Sequence, residues 1–160
     1  MLKHIFFFLI AVVCCVACKP REEKQAAFPE VNDQPVLTMV KTDGTEVFLR
    51  GLTGKLILIF FNPDCDHCQN EAKAIAENKK LFQDYQLYFI SSDSVHHVVK
   101  FANDYQLIEP NMHLGTASPP DVYRAMGPID AVPAIYIYND RKKVKEFKGE
   151  VKLEELRKYL

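Results

Sequence analysis

An almost unbroken apolar run, KLILIFF (55–61), ends directly before two closely spaced cysteines in NPDCDHCQNE (62–71). Such a run predicts a strand that is buried on both faces of a parallel sheet. From Cys65 to about Phe82 the apolar residues recur every three or four positions, which predicts a helix with Cys65 and Cys68 on one face. The sequence therefore predicts a strand that leads into a helix, with the cysteine pair at the turn between them.

Segments on either side of this unit alternate between strand-like and helix-like patterns. Two alternating runs around Asp43-Gly44 (37–49) predict a hairpin, because Asp-Gly adopts the positive φ angles of a tight turn. Further strands are predicted at 87–91, 134–138 and 144–149, and further helices at 94–105, 119–127 and 153–160. The buried stripe of the 94–105 helix is predicted to consist of Val95, Val98, Val99 and Ala102. Strands that alternate with helices predict an α/β fold with a central sheet flanked by helices.

The N-terminal segment has the pattern of an export signal. Lys3 and His4 precede an apolar stretch over 5–17, which is typical of a secretory signal and short for a membrane-spanning helix. Ala17, Cys18 and the polar residues after them are similar to a bacterial lipoprotein signal, in which the cysteine is lipidated after cleavage. An uncleaved membrane anchor is the alternative interpretation.

This signal predicts the organisation and location of the whole chain. We expect a signal peptide over 1–17, a lipidated Cys18 with a polar tether over 18–34, and one domain over 35–160. The domain is expected in a bacterial cell envelope, facing the periplasm and held to the membrane by the lipid, where disulfides can form. The chain has 20 Lys+Arg against 21 Asp+Glu, and this balance gives no sign of nucleic-acid binding.

The motif CDHC (65–68) fits four kinds of site unequally. Covalent haem attachment requires His directly after the second cysteine, and Gln69 stands there. Zinc or copper binding needs further ligands, such as His67 or a recruited His113, and remains an alternative. A structural disulfide across so short a loop removes little entropy from the unfolded chain. Reversible thiol–disulfide exchange is the favoured interpretation, and no metal or other cofactor is expected for it.

The predicted helix start gives the two cysteines different roles. Unpaired backbone N–H groups and the positive end of the helix dipole favour the thiolate of Cys65, which is the nucleophilic form. Cys68 lies one turn further along the helix and can attack a mixed disulfide at Cys65. Glu71 can take the proton of Cys68, and His67 can stabilise the thiolate of Cys65. Solvated surface side chains are the alternative for Glu71 and His67.

The order of these segments resembles the thioredoxin superfamily, with the hairpin first, then GK-LILIFF-NPDCDHCQNE, then VPAIYIYND (132–140). More narrowly, it is similar to the extracytoplasmic, membrane-tethered TlpA/ResA-like thiol–disulfide oxidoreductases. The resemblance covers 35–160 and implies a thioredoxin-like fold with a central mixed sheet. It also implies Cys65 as the nucleophile, Cys68 as the resolving thiol and Glu71 as the acidic residue after the motif.

The same resemblance implies a substrate-binding segment and the partners of the reaction. Pro133 matches the cis-proline that faces the cysteine pair, and the backbone of Val132 is expected to pair with an extended substrate peptide. The implied partners are thiols or disulfides of exported proteins and an upstream redox partner. A non-catalytic thioredoxin-like binding module is the remaining alternative.

The sequence departs from family patterns at two points. Pro63-Asp64 stands where many members have Trp before the first cysteine. The P-x-x-x-[ST]-x-x-C pattern of peroxidatic relatives is missing. If Cys68 is taken as the cysteine of the pattern, Phe61 stands at the position of its Pro. If Cys65 is taken instead, Asn62 stands at the position of its Ser or Thr. Peroxidase activity is therefore not expected.

Overall fold

The computed structural model describes residues 31–160. The predicted signal peptide, the Cys18 lipid site and most of the tether lie outside the described residues. Within them, no helix is both long enough and apolar enough to cross a membrane.

The described residues form one seven-stranded mixed sheet. Its strands are β1 (Thr38–Lys41), β2 (Glu46–Phe48), β3 (Lys55–Phe60), β4 (Gln86–Ser91), β5 (Met112–Thr116), β6 (Ala134–Asn139) and β7 (Lys142–Lys148). The order across the sheet is β2-β1-β5-β4-β3-β6-β7. β3, β4 and β5 are parallel, and the other neighbours are antiparallel. The mixed sheet and the β1–β2 hairpin around Gly44, whose φ is +84°, confirm the predicted fold class.

Over residues 31–160, four α-helices flank the sheet. They are α1 (Asp66–Glu77), α2 (Val95–Asp104), α3 (Pro119–Met126) and α4 (Leu153–Leu156), with 3-10 turns at Leu49–Gly51, Lys79–Phe82 and Arg157–Tyr159. α1 ends five residues before the predicted boundary. The side chain of Asn78 donates to the Ala74 carbonyl at 2.9 Å, and this local bond competes with the helical pattern, so a 3-10 turn follows.

β3 separates two apolar clusters, one on each face of the sheet. Ile57 and Ile59 face α1, α2 and α4, whereas Leu56, Leu58 and Phe60 face the hairpin and α3. All five side chains are buried, which confirms that β3 is covered on both faces. The core therefore fixes the end of β3, and with it the position of the turn that carries the cysteines.

Two features of the fold differ from the sequence prediction. β5 was not predicted, because MHLGT (112–116) is short and its apolar pattern is interrupted by His113 and Gly115. The predicted buried stripe of α2 included Val95 and Val99, but these are 43% and 38% exposed. Phe101 takes that place, because its ring packs on the ring of Phe61 at 4.6 Å between centroids.

Candidate active site

The turn between β3 and α1 is fixed by local hydrogen bonds. The side chain of Asn62 accepts from the Asp64 N–H at 2.8 Å, and the side chain of Gln69 donates to the Pro63 carbonyl at 2.9 Å. Cys65 is the N-cap residue of α1, in extended conformation, so the helix begins one residue later than predicted. The first cysteine therefore lies at the positive end of the helix dipole, as expected.

The cis-proline segment lies against the first cysteine. The Val132–Pro133 peptide bond is cis, which confirms the predicted conformation. The Sγ of Cys65 donates to the Val132 carbonyl at 3.7 Å. The structure thus brings the two predicted halves of the site together, although they are 67 residues apart in sequence. The role of Val132 and Pro133 in binding substrate stays a prediction.

The two cysteines differ in burial, and both are free thiols. Cys65 is half-buried, whereas Cys68 is only 2% exposed. Burial raises the pKa of the Cys68 thiol from its ordinary 9.0 to about 12, and the neighbouring Cys65 and Glu71 act in the same direction. Cys68 therefore remains a protonated thiol at neutral pH unless a base close to it accepts the proton.

Glu71 is the neighbouring residue that can accept this proton. Its side chain is 3% exposed, so it is not the solvated residue of the alternative interpretation. One carboxylate oxygen accepts from the Val151 N–H at 2.9 Å. The pKa of Glu71 is raised from 4.5 to about 7, mainly by burial; the hydrogen bond from Val151 lowers it, and the negative charge of Glu150 acts in the same direction as burial. Glu71 therefore exchanges a proton readily near neutral pH.

His67 lies on the exposed side of α1 and contacts a different partner from the predicted one. Its Nδ1 lies 2.8 Å from Oε2 of Glu150, and the side chain of Asn70 donates to the same oxygen at 3.2 Å. These bonds lower the pKa of Glu150, the His67 bond most strongly. Stabilisation of the Cys65 thiolate by His67 stays a prediction.

A cleft of about 570 Å³ opens beside the cis-proline segment. It is lined by His67, Ala131, Val132, Gly149, Glu150, Val151 and Lys152. The residues after β7 were not predicted as part of the site. Their only sequence signal is Gly149. In the structure this glycine follows the strand with a φ of +84°, and its N–H donates to the Pro133 carbonyl at 2.8 Å.

The structure does not bring His113 to the cysteines. His113 lies near the start of β5, where its Nε2 is 2.8 Å from Oε1 of Gln86, whereas the cysteines follow the end of the parallel strand β3. In the part of the chain that the structure describes, no group of three or more His, Cys, Asp or Glu side chains is arranged to hold a metal ion.

Comparisons with known proteins agree with this geometry. The family model described as the AhpC/TSA family matches residues 27–147, and a search of curated proteins found no match. Similar solved structures include a secreted disulfide oxidoreductase of Mycobacterium tuberculosis homologous to Escherichia coli DsbE, with 16% identity and a TM-score of 0.65 over 78% of this chain and 93% of that chain.

Two further structures have the same architecture. DsbF of M. tuberculosis is 20% identical, with a TM-score of 0.68 over 81% of this chain and 96% of that chain. A thioredoxin-like protein from Porphyromonas gingivalis is 25% identical, with a TM-score of 0.65 over 79% and 88%. The fold is thus thioredoxin-like, and its C-x-x-C pair stands at the end of a central strand.

Proposed function

We propose that this chain, which belongs to the AhpC/TSA family and has a thioredoxin-like fold, is a thiol–disulfide oxidoreductase. The observation that carries the proposal is the arrangement of three side chains at the start of α1. Cys65 is accessible at the helix N-terminus, Cys68 is buried one turn behind it, and Glu71 is buried one turn further on. This arrangement separates a thiol that attacks from a thiol that resolves.

In the first step, the Cys65 thiolate attacks one sulfur of a substrate disulfide. An S–S bond forms between Cys65 and the substrate, and the other substrate sulfur leaves as a thiolate that takes up a proton. In the second step, Cys68 gives its proton to Glu71 and attacks the sulfur of Cys65. The Cys65–Cys68 disulfide forms, the second substrate sulfur leaves, and that sulfur is protonated. Two electrons pass to the substrate, and the reverse sequence oxidises it.

The pKa of Glu71 suits it to the second step. A carboxyl with a pKa of about 7 is half ionised near neutral pH, so it can accept a proton and later return it. An exposed carboxylate with an ordinary pKa would be a weaker base towards a thiol whose pKa is about 12. The same burial that keeps Cys68 protonated therefore also strengthens the base beside it.

Two features support a narrower assignment to the membrane-tethered TlpA/ResA-like oxidoreductases. The lipoprotein-type signal ending at Cys18 supports action in a bacterial envelope, on thiols or disulfides of exported proteins and with an upstream redox partner. The cleft beside Val132 supports an extended peptide as substrate, since that backbone lies 3.7 Å from the attacking sulfur. A substrate cysteine seated there would lie within reach of Cys65.

Trapping the mixed disulfide tests the proposal. Cys68→Ser leaves the first step intact and removes the second, so this variant in its native envelope should accumulate large complexes that collapse with reductant. Cys65→Ser is the matched control and should give few complexes, because its remaining thiol is buried. A metal-binding protein would capture nothing covalently and would lose its metal with either substitution. Absence of reductant-sensitive complexes from Cys68→Ser would overturn the proposed function.

A further inference from the structure

The loop between β7 and α4 contacts both halves of the active site. The 149–151 segment, which consists of Gly149, Glu150 and Val151, begins with the hydrogen bond from the Gly149 N–H to the Pro133 carbonyl at 2.8 Å. It ends with the bond from the Val151 N–H to the Glu71 carboxylate at 2.9 Å. The segment therefore bridges the cis-proline segment and the helix that carries the cysteines.

Glu150 attaches the middle of this segment to α1. Its Oε2 lies 2.8 Å from Nδ1 of His67 and accepts from Nδ2 of Asn70 at 3.2 Å. Asn70 and Glu71 lie three and four residues after His67, so each of them neighbours His67 on the helix surface. One carboxylate oxygen of Glu150 thus holds His67 and Asn70, and the backbone of the next residue, Val151, binds Glu71 on the same helix.

This attachment lies directly beside the buried proton acceptor. The side chain of Val151 packs against the apolar cluster that contains Cys68, and its backbone N–H donates a hydrogen bond to the Glu71 carboxylate. If Glu150 released α1, the 149–151 segment would keep only its bonds at the two ends. Water would then reach Glu71 more easily, because the segment binds that carboxylate through the Val151 N–H and packs the Val151 side chain on the neighbouring apolar cluster.

We propose that Glu150 is a positioning residue, which binds His67 and Asn70 and so holds the 149–151 segment over Glu71 while Cys68 resolves the mixed disulfide. The inference rests on the proposed function and adds to it a residue that touches neither the reacting sulfurs nor the proton they exchange. It also gives the exposed His67 a structural role, as the partner that fixes Glu150.

Two effects of Glu150 on Glu71 can be separated by substitution. The titratable groups whose charges interact with Glu71 are Cys68 on α1 and Glu150 in the loop. Burial is the main cause of the raised Glu71 pKa, and the charge of Glu150 adds to it. Glu150→Gln removes the charge but keeps an amide oxygen that can accept from Asn70 and from a protonated Nδ1 of His67. Glu150→Ala removes both the charge and the hydrogen bonds.

The experiment is a single-turnover reaction of the reduced full chain with the chromogenic aryl disulfide DTNB. All variants carry Ser at positions 14, 15 and 18, so that only the two site thiols react. Attack by Cys65 releases the first coloured thiolate, and resolution by Cys68 releases the second, so the two steps are measured separately over a range of pH. Glu155→Ala is the matched control, because it breaks an exposed ion pair between Glu155 on α4 and Lys158 in the 3-10 turn that follows.

We expect Glu150→Ala to slow the second release by about three- to tenfold, the factor that corresponds to an ordinary hydrogen bond. Its pH profile should move towards lower pH, because hydration lowers the pKa of Glu71 and weakens it as a base. The first release should be unchanged. Glu150→Gln should restore the rate to within about twofold of wild type, and Glu155→Ala should match wild type in both steps.

Three results would count against the inference. If Glu150→Ala shows the wild-type rate and pH profile in the second step, Glu150 does not position the segment. If Glu150→Gln is as slow as Glu150→Ala, its charge and not its hydrogen bonds matters, and the positioning role is wrong. If wild type itself releases only one coloured thiolate, the proposed function fails, and the inference fails with it.

Discussion

Replacing Glu71 by Gln should remove a pH-dependent cost from the folded protein. The carboxyl is almost fully buried, and burial raises its pKa from the ordinary 4.5 to about 7. Between these two values the folded state keeps a proton that the unfolded chain has already lost. The stability of wild type should therefore fall as the pH rises through this range, since the unfolded state binds fewer protons.

The size of this effect follows from the two pKa values. One pKa unit corresponds to about 1.4 kcal/mol, so a pKa raised from 4.5 to about 7 costs wild type about 3 kcal/mol of stability. The cost is absent below pH 4.5 and complete above about pH 7. Gln has the same shape, and its oxygen can keep the bond from the Val151 N–H, but it does not ionise.

Urea unfolding of the reduced proteins measures the difference. Between about pH 4 and about pH 8, the free energy of unfolding of Glu71→Gln should increase by about 3 kcal/mol relative to that of wild type. A constant difference between the two proteins in acid does not change this result. Cys68 does not interfere, because its raised pKa affects stability only above its ordinary value of 9.0. Glu155→Gln, at an exposed ion pair, should follow wild type. If the curves of Glu71→Gln and wild type run parallel across this range, the argument from burial is refuted.

Three further predictions concern other parts of the chain. At about neutral pH, iodoacetamide should alkylate Cys68→Ser at least about tenfold faster than Cys65→Ser, because the thiol left in the second variant is buried and has a pKa raised to about 12; equal rates would contradict the assigned roles. Gly115→Ala should lower the free energy of unfolding in urea by about 1–3 kcal/mol, because the new Cβ would lie 2.3 Å from a backbone oxygen of β1. Gly51→Ala is the control and should lower it less, because the nearest atom to its new Cβ lies at 3.7 Å. Cys18→Ala should abolish a lipid-sized mass increment and membrane fractionation; a variant that is still processed and membrane-bound would show that Cys18 is not lipidated.

Much of the fold could be predicted because its signals are local. The apolar run of β3, the Asp-Gly turn of the hairpin and the change of period after Cys65 each depend on a few adjacent residues. β5 escaped prediction because its place is determined by its neighbours. It lies between β4 and β1, and Gly115 is required there only because the backbone of β1 approaches so closely.

The site divides in the same way between local and distant contributions. The C-x-x-C motif can be recognised in the sequence alone, and the family resemblance predicts Glu71 as the acidic residue of the site. Glu150 and Val151 gave no comparable signal, because their importance lies in hydrogen bonds to residues about 80 positions earlier in the chain. A solvent-exposed glutamate after a strand looks like any other surface residue until the tertiary structure shows what it binds.

Burial at this site determines the order of events in the proposed reaction. A buried Cys68 with a raised pKa reacts poorly with disulfides in solution, so the accessible Cys65 is the thiol that meets the substrate first. Once the mixed disulfide has formed, its sulfur lies beside Cys68, and only the proton remains to be removed. Glu71 can remove it because the same apolar surroundings raise its own pKa. The stability that Glu71→Gln should recover is therefore what the protein gives up to keep a strong base beside its second thiol.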